Sequence, residues 1–296
     1  IGEHSMRYLY MAGLLAAIAI GALALELVFV ATGGSLSIYR KSGWGLPLLY
    51  VMALVVTLAF LRLTAPGGFA SLFAAYARNA AKALAGFFAF ALCTALLLLG
   101  GFAVMAALGV LDLAEDGWSR FDGAFAGNLA IGLALGFLVA FIEELLFRGA
   151  LMRFLRWNAA GTVTLAAVLV SAVIFALAHN IADPFAWFGA DQLPLLVGLC
   201  LLGVLLAATY LSTGSIACAM GLHFGLLSIG EVLPRTGAVA IDFTPWWMGG
   251  TGDIRMAPIT WAMFVGLLAA IWLAREPLRR RFAVEDFVGI PQAPGR

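Results

Sequence analysis

The sequence predicts an all-α integral membrane protein, a polytopic bundle of about eight transmembrane helices. The chain has 296 residues, of which 64% are hydrophobic and only 11% are charged, whereas a soluble domain carries about 25% charged residues. Apolar runs of about 20 residues recur along the chain, and this length crosses a bilayer core as a helix. The runs are continuous rather than alternating, which favours helices over a membrane β-barrel.

The predicted spans lie near residues 8–31, 45–63, 83–110, 129–156, 161–180, 193–211, 215–233 and 258–274. We expect a single membrane domain over 1–296, with a core of functional motifs at 125–235 and a basic tail at 275–296. Lysine and arginine are concentrated on the side that holds both ends of the chain, which predicts that both termini are cytoplasmic. The expected location is the plasma or inner membrane, with the lipid bilayer as a constant partner.

Charge and cysteine content exclude several classes of function. A net charge of +1 gives no sign of nucleic-acid binding. The three cysteines, Cys93, Cys200 and Cys218, are odd in number and show no paired spacing. We therefore expect neither a disulfide framework nor a thiolate metal site.

Ionisable side chains inside a membrane are costly and usually functional. They are concentrated here in the fourth, fifth and seventh predicted spans, as Glu143, Glu144, Arg148, His179, His223 and Glu231. Glu144 and Arg148 are four residues apart and share one helical face, while Glu143 points about 100° away. Arg148 can therefore neutralise Glu144 and leave Glu143 free as a general base. The alternative is a buried ion pair that locks helices together without chemistry.

The two histidines that follow His4 in the chain both fall within predicted spans. Counted at 1.5 Å per residue from the span ends, Glu143, His179 and His223 lie roughly 14 to 27 Å deep in a core about 30 Å thick. One shared buried site is therefore expected, although an isolated apolar-face histidine is more often a packed core residue. These three residues could hold a divalent metal such as zinc with an open position for water, or activate water directly.

Three motifs carry a family resemblance. They are Glu143-Glu144 followed three residues later by Arg148, then Phe175 followed three residues later by His179, and then His223. In this order they resemble the CAAX protease and bacteriocin-processing family, also called the Abi family, over roughly residues 125–235. The resemblance implies a helical intramembrane endopeptidase that acts on a membrane-anchored or lipidated peptide or protein.

The resemblance also implies roles for these residues. Glu143 would activate water with the help of His179, and His223 would bind or polarise the substrate carbonyl. Glu144 completes the predicted catalytic set, and Arg148 and Phe175 are its supporting residues.

The sequence departs from the family pattern at Leu227, where the third motif normally has asparagine. Leucine cannot donate a hydrogen bond. Ser228, Asn180 and Glu231 are the polar residues that could compensate. The departure supports a second reading, a non-catalytic membrane assembly, chaperone or immunity subunit with a protein partner in the membrane. A proton-coupled transporter is a third reading, but the sequence shows no internal repeat of the kind found in transporters.

Overall fold

The computed structural model describes residues 12–14, 16–18, 20–21, 24, 31, 45–64, 66–109, 123–152, 155, 161–179, 189, 192–232, 247 and 254–284. In this part of the chain the secondary structure is helical and there is no β-strand. The helices are α1 (Gly45–Thr64), α2 (Pro66–Arg78), α3 (Ala80–Ala107), α4 (Gly123–Glu144), α5 (Gly161–Ala178), α6 (Leu193–Thr213), α7 (Ile216–Leu227), α8 (Pro258–Leu273) and α9 (Arg275–Phe282). π-helical turns continue α4 over Leu145–Met152 and α7 over Ser228–Val232, and a short 3-10 helix covers Ile254–Met256.

Helices occupy the predicted positions of every span after the first, and the predicted span at 8–31 lies largely outside the described residues. Within the described residues, three helices are long and apolar enough to cross a membrane: Ala80–Ala107, Phe125–Met152 and Leu193–Thr213. The pair α8 and α9, bent by 73°, is a fourth candidate if it counts as one span. The all-α membrane class is therefore confirmed, and the number of eight spans stays a prediction.

The outward surface of α3 is apolar. Leu92, Leu96 and Val104 are 58–61% exposed, and no charged residue interrupts the helix after Lys82. Large hydrophobic side chains exposed along one helix form a surface suited to contact with a membrane or with another apolar surface. This surface matches the acyl chains of a bilayer, as the composition predicts.

Two glycines on α7 allow this helix to pack closely against α3. A Cβ atom at Gly221 would meet the backbone carbonyl oxygen of Phe87, and one at Gly225 would lie 2.5 Å from the carbonyl oxygen of Ala91. Small residues four apart are the usual means by which membrane helices approach closely. His223 lies about 200° around the helix from both glycines, so the packing on α3 turns His223 away from that helix and towards α4.

Helices α5 and α6 make a second close contact. A Cβ atom at Gly203 of α6 would lie 2.8 Å from the Cα atom of Ala172 on α5. Around this contact Phe175, Leu202 and Leu206 are buried in the main hydrophobic core. The contact places the Gly203 carbonyl group beside the functional residues of α4.

The predicted basic tail begins with a helix that contacts the bundle. Arg279, Arg280 and Arg281 form the last turn of α9, while Phe282 is buried and packs edge-on against Phe90 of α3 at 6.0 Å. Residues 285–296 of the predicted tail lie outside the described residues. The described part of the tail is thus anchored to the membrane helices by its apolar end.

Candidate functional site

The site is built where the α-helical part of α4 ends. Glu143 and Glu144 are its last two α-helical residues, and the π-helical turns begin at Leu145. Both glutamates are buried. π-Helical turns are rare and frequently occur at functional sites. The sequence reasoning expected one regular helix through this region, because the hydrophobic pattern carries no signal for a π turn.

The predicted ion pair between Glu144 and Arg148 is present. Arg148 donates from Nη1 to Oε1 of Glu144 at 3.0 Å, and neither side chain is exposed. Arg148 also donates from Nη2 to the carbonyl oxygen of Gly203 at 3.0 Å. A buried arginine needs such partners to offset its lost hydration. This pair therefore ties the end of α4 to α6.

His223 lies between the two glutamates. Its Nδ1 is 3.1 Å from Oε1 of Glu144, and its Nε2 is 3.8 Å from Oε2 of Glu143. A carboxylate ionised by pairing with Arg148 only accepts hydrogen bonds, so Nδ1 is the donor in the contact with Glu144. The Nε2 nitrogen consequently faces Glu143, at a distance too long for a direct hydrogen bond.

The carboxylate of Glu143 has two different environments. Its Oε1 accepts a hydrogen bond of 2.7 Å from the hydroxyl of Tyr50 on α1. Its Oε2 is buried and has no hydrogen-bond partner among the described residues. One carboxylate oxygen is therefore held, while the other is directed towards the His223 ring with its lone pairs unused.

His179 lies directly after the last residue of α5. Its Nδ1 is 2.8 Å from the carbonyl oxygen of Phe175 in the preceding turn. A carbonyl oxygen only accepts, so Nδ1 carries the proton and Nε2 is the nitrogen left for other contacts. The structure thus orients the ring by a bond within its own helix.

The ring of Phe175 joins the two histidines. It is fully buried, and its centroid lies 4.7 Å from the ring of His179 and 6.1 Å from the ring of His223. The guanidinium of Arg148 lies 5.2 Å from the same ring, within the range of a cation–π contact. Phe175 therefore brings Arg148, His179 and His223 around one aromatic side chain, which supports the structural role predicted for it.

Among the residues considered as substitutes for the missing asparagine, Ser228 is the one whose side chain belongs to the described part of the chain. Leu227 is the last residue of α7, and Ser228 donates its hydroxyl to the carbonyl oxygen of Phe224 at 2.7 Å within the same helix. Asn180 lies outside the described residues. Glu231 lies in the π-helical turns after α7, and its side chain is also outside them.

Tyr50 was not among the residues predicted from the sequence. The predicted residues were chosen mainly as ionisable groups within spans, whereas a tyrosine in an apolar run near the start of a helix is most often an interfacial anchor. The signal that could have indicated a role is the single hydroxyl in the otherwise apolar run Leu46–Leu54. Only the folded arrangement brings this hydroxyl to Glu143.

The described residues do not form a metal site. They contain no group of three or more histidine, cysteine, aspartate or glutamate side chains arranged to hold a metal ion. The Nδ1 atoms of both histidines are engaged by Glu144 and by Phe175, which leaves Nε2 as the ring atom that could bind a metal. The donor set expected for zinc, Glu143 with His179 and His223, is not found as such a group in the described residues.

An apolar cavity of about 160 Å³ lies between helices that also carry residues of the site. It is lined by residues of α2, α4 and α7, among them Leu72, Phe141, Leu145 and Met220. Phe141 and Leu145 flank the two glutamates in the chain. The lining atoms offer no polar surface, so this cavity suits a hydrocarbon chain.

Comparison with known proteins agrees with the arrangement of the site. Residues 125–228 match the family model of type II CAAX prenyl endopeptidases, Rce1-like. The matched segment is about a third of the chain and includes both glutamates, Arg148 and both histidines of the site. No curated protein and no solved structure matches the chain.

The site thus lies in a helical membrane protein, within a segment that is similar to a family of proteases. Residues 125–228 form an Rce1-like segment, which matches the CAAX protease and bacteriocin-processing family. The resemblance predicted from the three motifs is confirmed by this match.

Proposed function

We propose that this protein is an intramembrane endopeptidase that hydrolyses a peptide bond of a membrane-associated or lipidated protein or peptide. The observation that carries the proposal is the unpartnered Oε2 of Glu143, buried 3.8 Å from Nε2 of His223. A buried carboxylate oxygen with free lone pairs is placed to accept a proton from water. The Rce1-like segment supports the protease class.

The proposed reaction begins with a water molecule at Oε2 of Glu143. Glu143 removes a proton from this water, and the resulting hydroxide attacks the carbonyl carbon of the scissile bond. Nδ1 of each histidine already holds a proton that is engaged, so Nε2 of His223 or His179 donates a hydrogen bond to the oxyanion only when the ring carries a second proton. The tetrahedral intermediate then releases the amine, which takes the proton from Glu143 as the C–N bond breaks. Water is consumed and Glu143 returns to its ionised state.

Glu144 has a supporting part in this proposal. It accepts hydrogen bonds from Arg148 and from Nδ1 of His223 at one oxygen. A carboxylate that holds the far nitrogen of an imidazole fixes its tautomer and orientation. Glu144 therefore acts through His223 and does not need to touch the substrate.

The apolar cavity bears on the substrate class. A lipidated peptide carries a long hydrocarbon chain that needs an apolar environment close to the bond being cut. The cavity lined by Phe141 and Leu145 provides such an environment on the helix that carries the glutamates. Burial of a hydrocarbon chain contributes about 0.8 kcal/mol per CH₂, so a lipid chain in this cavity would add to substrate binding.

A second function is favoured by Leu227. If the missing polar side chain at this position is essential for turnover, the protein serves as a non-catalytic assembly, chaperone or immunity subunit. In that case Glu143, Glu144 and His223 hold helices together and bind no water for reaction.

The deciding experiment uses purified protein in proteoliposomes with a fluorogenic prenylated peptide and, separately, the same peptide without its lipid. Glu143→Gln keeps the size of the side chain but removes the base, and a lost general base typically lowers the rate about 10²–10⁴-fold. Glu276→Gln, at an exposed position on α9, is the matched control and should cleave as the parent does. Equal cleavage by Glu143→Gln and the parent would remove the protease mechanism. Absence of cleavage by the parent would favour the assembly subunit.

A further inference from the structure

Tyr50 stands outside the segment that matches the protease family. It belongs to α1 and lies 93 residues before its hydrogen-bond partner Glu143. Helix α1 packs against the end of α4 and against the π-helical turns that follow. An element outside the matched segment therefore contributes a contact to the residue at the centre of the site.

The contact is short and directed at one oxygen. The phenol oxygen of Tyr50 lies 2.7 Å from Oε1 of Glu143, and hydroxyl donors to carboxylates characteristically lie about 2.5–2.7 Å away. Oε1 is on the opposite side of the carboxylate from the unpartnered Oε2. The hydrogen bond consequently distinguishes two oxygens that are otherwise equivalent.

Among the described residues, the other neighbours of Glu143 do not hold it in this way. His223 directs its donor nitrogen to Glu144, and its other nitrogen is 3.8 Å from Oε2 of Glu143. Arg148 donates to Glu144 and to the backbone of Gly203. A glutamate has three rotatable side-chain bonds, so a carboxylate held at neither oxygen would sample several orientations.

We propose that Tyr50 is a positioning residue for the hydrolysis, which anchors Oε1 of Glu143 and so makes Oε2 the oxygen that takes the proton from water. This inference rests on the proposed protease function. A misplacement of about 1 Å in a reacting group can cost up to about 10²-fold in rate. Tyr50 acts through Glu143 and does not need to contact the substrate.

The test compares Tyr50→Phe with Tyr76→Phe. Tyr76 also has a hydrogen-bonded hydroxyl, which accepts from the backbone N–H of Ile216 at 2.6 Å, but its partner is at the start of α7 and not at Glu143. Each variant is measured for kcat, KM, thermal unfolding in detergent and the infrared bands of its carboxylates. The band of Glu143 is identified as the one that Glu143→Gln removes from the parent spectrum.

For Tyr50→Phe we expect kcat to fall about tenfold, as loss of a positioning contact implies. We also expect an unchanged KM, an unchanged unfolding temperature and a shifted Glu143 band. Tyr76→Phe should leave the Glu143 band in place. The infrared measurement does not depend on turnover, so it separates this inference from the proposed function.

Two results would overturn the inference. An unchanged Glu143 band in Tyr50→Phe would show that the contact is absent. A fall in activity that only follows the loss of folded protein would show a structural role alone. If Tyr50→Phe shifts the Glu143 band but the parent protein cleaves no peptide, the contact exists and the proposed function is wrong. The catalytic purpose of the contact would then be wrong as well.

Discussion

Nδ1 of His223 and the Glu144 carboxylate meet at 3.1 Å, on the same oxygen that accepts from Arg148 at 3.0 Å. One carboxylate oxygen thus links α7 to the π-helical turns after α4. Through Arg148 and Gly203 the link extends to α6. Replacing any one of these side chains leaves a neighbouring polar group buried without its partner. The resulting loss of stability can be measured.

Arg148→Ala should lower the stability of the fold more than any surface change. Removal of one partner of a buried ion pair costs about 3–5 kcal/mol, because the other charge stays buried and unpaired. The measurement is the unfolding temperature and the yield of folded protein in detergent. Arg280→Ala, at an exposed position on α9, is the control and should behave as the parent. A variant that folds normally but loses turnover would assign Arg148 to the chemistry.

Glu144→Gln should cost stability more than turnover. The amide oxygen can still accept from Arg148 and His223, but the charge that balances the guanidinium is lost. We expect a lower unfolding temperature together with a cleavage rate, per folded molecule, well above that of Glu143→Gln. If both variants lose the same fraction of turnover when equally folded, Glu144 takes part directly in the reaction.

Gly221→Ala should separate α7 from α3. The added Cβ atom would meet the backbone of Phe87, and backbone cannot give way as a side chain can. Overpacking of this kind costs about 1–3 kcal/mol, so the unfolding temperature should fall, and turnover should fall too because His223 lies on the same helix. Gly100→Ala on α3 meets nothing within 4 Å and is the control. Parent-like stability in Gly221→Ala would argue against this close helix contact.

Removal of metal ions should leave cleavage unchanged. The proposed reaction uses Glu143 as a base, and the described residues offer no three-ligand set for a metal. The measurement is the rate before and after dialysis against a strong chelator, with the metal content of the protein determined in parallel. Loss of activity that added zinc restores would instead support the zinc site predicted from the two histidines and Glu143.

Much of the fold could be read from the chain itself. The helix positions follow from the positions and lengths of the apolar runs. In a bilayer such a run forms a helix, because a helix satisfies the hydrogen bonds of its backbone internally. The pair of Glu144 and Arg148 also follows from local geometry, since four residues on a helix bring two side chains to one face. The three motifs that begin at Glu143, Phe175 and His223, taken in this order, were sufficient to indicate the family.

The tertiary structure alone decided which groups surround Glu143. Tyr50 lies 93 residues from Glu143, and His223 lies 79 residues from Glu144, so no local periodicity relates them. Their meeting depends on how closely α7 approaches α3 at Gly221 and on the π-helical turns that follow Glu144. Spacing along one helix determines which residues share a face, whereas the direction of each face is set by the backbone distances at which neighbouring helices pack.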